Sequence, residues 1–167
     1  IKAGASLVTV AFAVDENRVL TFSVRDDGCG MAPDFLARVT DPFTTTRTTR
    51  KVGMGLPLLK MEAEQTGGTF GISSKAESEY PEDHGTKVTA VFNKKHIDYT
   101  PLGDVVSSIV TLIQGHPDTD FLFMHTCGSK SVVLDTRELR AVLEEVPLNS
   151  YEVLKFIEET LRKEENI

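Results

Sequence analysis

Two adjacent aspartates followed by two glycines one residue apart stand in "RDDGCGM", residues 25 to 31. A buried carboxylate beside the glycines would accept a hydrogen bond from an amino group, and the exocyclic amine of adenine is such a donor. Gly28 and Gly30 let the backbone turn tightly and let a flat ligand approach closely. The same residues equally make an ordinary Asp-Gly turn after a strand. A second glycine-rich stretch, "KVGMGL" at 51 to 56, opens a helix, and backbone N–H groups at a helix start favour phosphate. It is neither a Walker motif, since no GKS or GKT follows, nor a GxGxxG dinucleotide fingerprint.

Elements able to position these residues are legible around them. Leu7 to Val14 and Val19 to Arg25 are β-rich runs joined by the turn residues "DEN", so they read as a hairpin that delivers Asp26 at a strand end. "APDFLARV" reads as a short helix with Pro33 in its first turn. Residues 44 to 53 hold five threonines, two arginines and a lysine without apolar period, and read as a polar loop, the most mobile internal segment. Leu56 to Thr66 reads as a helix with Leu58, Leu59, Met61 and Ala63 on its buried side and Gly67-Gly68 as its stop. "TFGISS" and "TKVTAVF" read as two further strands.

Composition shifts near residues 96 to 101. Thr100 is placed to cap a helix with Pro101 at its first position, and Val105, Val106, Ile109, Val110 and Ile113 keep one helical face. "DFLFMH" and "SVVLD" flank "TCGSK" as a hairpin. Asp135 with Glu138, and Asn149 with Glu152, have the spacing of capping boxes before two more helices. The tail therefore reads helix, hairpin, helix, helix.

The 167 residues carry a formal net charge of −7, which argues against nucleic acid as a partner. Two distant cysteines, Cys29 and Cys127, make no framework and point to a reduced, cytoplasmic protein; no apolar run is long enough to span a membrane. Cysteine and histidine spacing predicts no metal site. His84, His96, His116 and His125 read as structural or solvated rather than as phosphoacceptors. "IKAGAS" reads as the end of a helix, and a first residue other than Met suggests that the numbering starts inside a longer protein.

Taken in order, the strand, "DDGCGM", "DPFTTT", the polar loop, "VGMGLPLLK", the Gly-Gly stop and Gly85-Thr86 resemble the Bergerat-fold ATPases. These include sensor histidine kinases, type II topoisomerase ATPase subunits, the ninety-kilodalton heat-shock chaperone and mismatch-repair ATPases. The resemblance covers about residues 1 to 93, and "DPFTTT" places it closest to the histidine-kinase branch. It implies that Asp26 accepts from the adenine amine, Gly28 and Gly30 shape the turn, and Met31 lines the adenine slot. Thr86 would support Asp26 through a water, and Asp27 would be the more exposed carboxylate. Residues 44 to 52 would cover the phosphates. The backbone at Gly53, Gly55 and Leu56 would hold them, with Arg47, Arg50 and Lys51 adding charge unless they are simply a solvated basic loop. Two departures stand out. Lys51 occupies the place of a further family glycine, and the helix that carries the family's magnesium asparagine and catalytic carboxylate would precede Ile1.

The resulting expectation is an α+β protein, a two-layer sandwich of a mixed, mainly antiparallel sheet with helices on one face. Residues 1–95 would form the ATP-binding domain and 96–167 a small α/β appendage, one that could dock a protein partner. In the intact protein, ATP with magnesium would be the cofactor and the γ-phosphate would be transferred or hydrolysed. The alternative is a non-catalytic nucleotide-sensing or protein-interaction module that keeps the fold.

Overall fold

The computed structural model describes residues 1–44 and 53–164. Its centre is one six-stranded sheet in the order β3-β4-β2-β1-β5-β6. The strands are β1 (Leu7–Val14), β2 (Val19–Asp26), β3 (Thr69–Lys75), β4 (Gly85–Asn93), β5 (Asp120–Cys127) and β6 (Lys130–Asp135). All neighbours run antiparallel except β1 and β5, which are parallel and in register from Leu7↔Asp120 to Val14↔Cys127. The segment from 96 onward thus adds two strands to the same sheet, and its residues share one core with the first half.

Alternation along each strand explains why that core lies on one face. Val8, Val10 and Phe12 of β1, Leu20 of β2, Ala90 and Phe92 of β4, Phe121 and Phe123 of β5 and Val132 of β6 are buried together. Many intervening positions are small or polar, as in Thr9, Thr21, Ser23 and Thr89. Three helices cover the apolar face: α2 (Gly55–Gln65), α3 (Val105–Gly115) and α5 (Tyr151–Glu164). Two shorter ones, α1 (Pro33–Leu36) and α4 (Thr136–Leu143), complete the elements of the described residues. The expected mixed sheet with helices on one face is what the structure has.

Local details differ from the sequence reading where tertiary contacts intervene. On α2 only Ala63 is fully buried and Leu59 packs against the core, whereas Leu58 and Met61 are exposed. Positions 59 and 63 lie one turn apart and face β3 and β4, which turns the 58/61 stripe outward. Helix α3 begins at Val105, not after Thr100, because Asp104 caps it: Oδ1 accepts from the Ser107 N–H at 2.9 Å and Oδ2 from the Ser107 hydroxyl at 2.8 Å. An aspartate accepting two donors is a stronger cap than a threonine accepting none. At α5, Ser150 rather than Asn149 takes the cap position, its carbonyl accepting from Leu154. Residues 1–6 form a turn closed by the Gly4 N–H on the Ile1 carbonyl, in place of the helix end that "IKAGAS" suggested.

Asp104 also receives Arg162 Nη2 of α5 at 2.9 Å, tying the two tail helices together. The Ser107 backbone N–H, with the Arg162 and Ser107 side chains, lowers its carboxyl to about 2. A folded-state value below the unfolded one gives stability that is present above about pH 4 and lost as pH falls through the folded value. Asparagine keeps the cap but not the charge. Wild type should therefore exceed Asp104→Asn in urea midpoint at neutral pH, and the difference should close between about pH 4 and pH 2. Urea titrations across that range check this.

Candidate adenine-nucleotide site

Asp26 ends β2 on the apolar face, in line with Leu20, Phe22 and Val24, and its carboxylate lines a cavity of about 820 Å³ between the sheet, α2 and α3. The size suits a cofactor-sized ligand. The walls are mainly apolar, with Val8, Val10 and Phe22 from the sheet, Leu59 from α2 and Ile109 from α3. Asp26 Oδ1 accepts from the Gly28 N–H at 3.0 Å, which orients the carboxylate and leaves its other oxygen for a donor in the cavity. A carboxylate at the polar end of an apolar slot is the arrangement that recognises an amino group on a flat ring.

Asp27 behaves differently from its neighbour. Its Oδ1 accepts from the backbone N–H groups of Ser6 (2.8 Å) and Leu7 (2.9 Å), and Oδ2 accepts from the Ser6 hydroxyl. Desolvation pushes the Asp27 carboxyl upward, but the hydrogen bonds from Leu7 and Ser6 together outweigh it and leave the carboxyl below its ordinary value. Both aspartates are half-buried, and Asp27 is the one whose oxygens are taken up by Ser6 and Leu7. One carboxylate closes the start of β1 and the other faces the cavity.

The glycines of the turn meet protein rather than open space. Gly28 is buried, and a Cβ there would stand 2.7 Å from the Ala3 Cβ. Gly30 has φ +64° and a Cβ on it would stand 1.9 Å from the Lys75 carbonyl oxygen. Gly30→Ala combines left-handed strain with a backbone clash and should cost about 2–3 kcal/mol, read as a lower urea midpoint. Met31 follows, its N–H donating to Ser74 Oγ at 2.8 Å. Ser74 Oγ also lies 2.9 Å from Thr86 Oγ1 and 3.0 Å from the Gly85 carbonyl. With Ser74 donating to that carbonyl, the Thr86 proton goes to Ser74, so Thr86, the partner of Asp26 in the β2–β4 register, has only lone pairs left to offer. A water bridging Thr86 and Asp26 would have to donate to both, which suits two acceptors.

Of the second glycine stretch, Gly53, Gly55 and Leu56 lie among the described residues, while Arg47, Arg50 and Lys51 lie outside them. The Gly53 N–H donates to the Pro42 carbonyl at 2.9 Å, so both ends of the threonine-rich loop are joined. Helix α2 has no side-chain cap at Met54, which leaves the Gly55 and Leu56 N–H groups at its start without a side-chain acceptor. Among the described residues no group of three or more His, Cys, Asp or Glu side chains is placed to hold a metal ion by itself.

The tail supplies cavity residues that sequence reasoning left without a role there. Tyr99, Leu102, Val105, Ile109, Leu112 and His116 all line it. Burial raises the Tyr99 hydroxyl above its ordinary value. The apolar stripe of α3 was visible, but a stripe does not say whether it covers a core or a cavity. His84 was likewise read as structural, and its ring Nδ1 lies 2.7 Å from the Gly28 carbonyl oxygen.

A mixed sheet with helices on one face makes this an α/β sandwich, and comparison with known proteins agrees on that fold. The chain superposes on the Aquifex aeolicus MutL ATPase domain complexed with ADP, with a TM-score of 0.53, 14% identity, and coverage of 97% of this chain and 81% of that one. That likeness is one of fold. Residues 1–96, more than half of the chain, match the model of the histidine kinase-, DNA gyrase B- and HSP90-like ATPases, and the chain belongs to this family. No curated protein matches it. No helix among the described residues is long and apolar enough to cross a membrane.

Proposed function

We propose that this chain binds an adenine nucleotide in the cavity beside Asp26, as the ATP-binding part of a histidine-kinase-like ATPase. The observation that carries the reading is the Asp26 carboxylate, oriented by the Gly28 N–H and facing an apolar cleft in a chain of this ATP-binding family. The adenine amine would donate to Asp26, with Gly28, Gly30 and Met31 forming the turn beside it and Thr86 supporting the carboxylate. The N–H groups at Gly55 and Leu56 would meet phosphate, with Gly53 at the loop end and Arg50 and Lys51 adding charge. That the similar MutL domain was solved with ADP supports an adenine nucleotide as the ligand.

"DPFTTT" favours the kinase branch, in which the intact protein would move the γ-phosphate by positioning and electrostatics. Magnesium, which accompanies such nucleotides, would supply charge neutralisation at the phosphates. A cytoplasmic location and a protein partner for residues 96–167 belong to the same reading. A second reading, a nucleotide-sensing module without transfer, is favoured by Lys51, which lacks the backbone freedom of the glycine usual at its position.

Calorimetric titration with ADP and ATP, with and without magnesium, tests the proposal. Saturable binding is expected. Heats no different from dilution, in the intact protein, would count against it. Binding without any turnover of ATP would select the second reading.

A further inference from the structure

We propose that His84 is a positioning residue of this site, holding the turn that aims Asp26. The inference rests on the nucleotide reading above. The Gly28 carbonyl can only accept, so the 2.7 Å contact requires His84 Nδ1 to carry the proton and donate. The adjoining Cys29 N–H donates to the Ala3 carbonyl at 2.9 Å, so the peptide between Gly28 and Cys29 is gripped at both ends. Beyond it the Cys29 carbonyl accepts from Glu77 and the Met31 N–H reaches Ser74. Glycines at 28 and 30 impose little backbone preference of their own, so these tertiary bonds decide the shape of the turn.

The Gly28 N–H is the group that holds Asp26 Oδ1, so rotation at Gly28 would release the carboxylate as well. His84 is itself well placed to act. The preceding Asp83 is ion-paired with Lys75, whose ammonium lies 5.5 Å from the Tyr80 ring centre. The following Gly85 has φ +124° and a Cβ there would stand 2.1 Å from the Asp26 carbonyl oxygen, so β4 is pressed directly against the end of β2. Thr86 then pairs with Asp26. One short segment at the start of β4, residues 84–86, thereby approaches the site by its backbone, by Thr86 and by the His84 ring.

Geometry of the ring supplies the test. Asparagine carries an amide nitrogen on Cγ, where histidine carries Nδ1; glutamine places it one bond further, near Nε2; alanine has neither. In the intact protein, ADP affinity by calorimetry and hydrogen exchange of the peptide covering residues 27–31 are measured for His84→Asn, His84→Gln and His84→Ala. His84→Asn should stay within about twofold of wild type, while the Gln and Ala variants bind ADP about three- to tenfold more weakly. Exchange at 27–31 should rise in those two and stay unchanged in β1 and β5. Equal affinity in all three variants overturns the role of His84 alone. Equal loss in all three, matched by lower thermal midpoints, would mean that the ring only supports the fold, and also overturns it. A wild-type protein that binds no ADP sinks the nucleotide reading and this role with it.

Discussion

Asp26→Asn should weaken ADP binding by about 10- to 150-fold while moving the thermal midpoint by no more than about 3 °C. The asparagine Oδ1 can still accept from the Gly28 N–H, so the turn keeps its bond. What changes is the atom facing the cavity. A carboxylate oxygen only accepts, whereas the amide places either a weaker acceptor or an N–H donor opposite the adenine amine. Two donors facing each other in an apolar slot leave both unsatisfied, and that penalty is larger than the net worth of the bond lost. Stability is little affected because no ion pair depends on Asp26 among the described residues. Calorimetric titration of the variant beside wild type checks this. Unchanged affinity with saturable wild-type binding would mean that the nucleotide lies elsewhere.

Phe123→Ala should destabilise the whole chain by about 3–5 kcal/mol, the usual cost of emptying a buried aromatic site. Phe123 has no exposed surface, lies opposite Val10 across the parallel β1–β5 pair, and meets the Phe12 ring edge-on at 6.2 Å. Its removal leaves a hole between β1 and the tail that neither can fill alone. Total stability of a chain this size is commonly about 5–15 kcal/mol, so the loss is a large fraction of it. Because β1 and β5 belong to one sheet, β2 and β5 should lose exchange protection together in urea. Protection retained in β2 and β4 while β5 and β6 open would show that residues 96–167 unfold as a unit of their own.

Much of the fold was legible because its signals are local. Period-two runs bounded by turn residues found all six strands, with Gly128 at φ +58° in the turn where "TCGSK" announced a hairpin. The apolar stripe of Val106, Ile109 and Ile113 found α3. What failed was also local in form but tertiary in cause. Thr100 and Asp104 are both plausible caps by residue type, and Arg162, 58 residues away from Asp104, rewards only the second. Leu58 and Met61 are as apolar as Leu59, yet only the direction of the sheet decides which stripe of α2 is buried.

The site divides the same way. The order of the glycine-rich motifs along the chain identified the family and singled out Asp26, since a carboxylate and a turn one residue apart are made by neighbours in sequence. Which aspartate faces the cavity depends on strand alternation and on Ser6 and Leu7, which occupy Asp27 from about twenty residues away. Gly28 and Gly30 were read as freedom for a tight turn and for the close approach of a flat ligand. Gly30 does turn through the left-handed region, and the structure adds a further reason for both, the close approach of Ala3 and of the Lys75 backbone. His84, 56 residues from Gly28, joins the turn only through the β2–β4 pairing, and Tyr99 and α3 enter the cavity wall only because β5 runs parallel to β1. By itself, then, the sequence determined the local elements, the family and the carboxylate at a strand end. Only the tertiary structure decided what presses on that turn and what walls the cavity, because those contacts are made by residues whose separation along the chain carries no periodic signal.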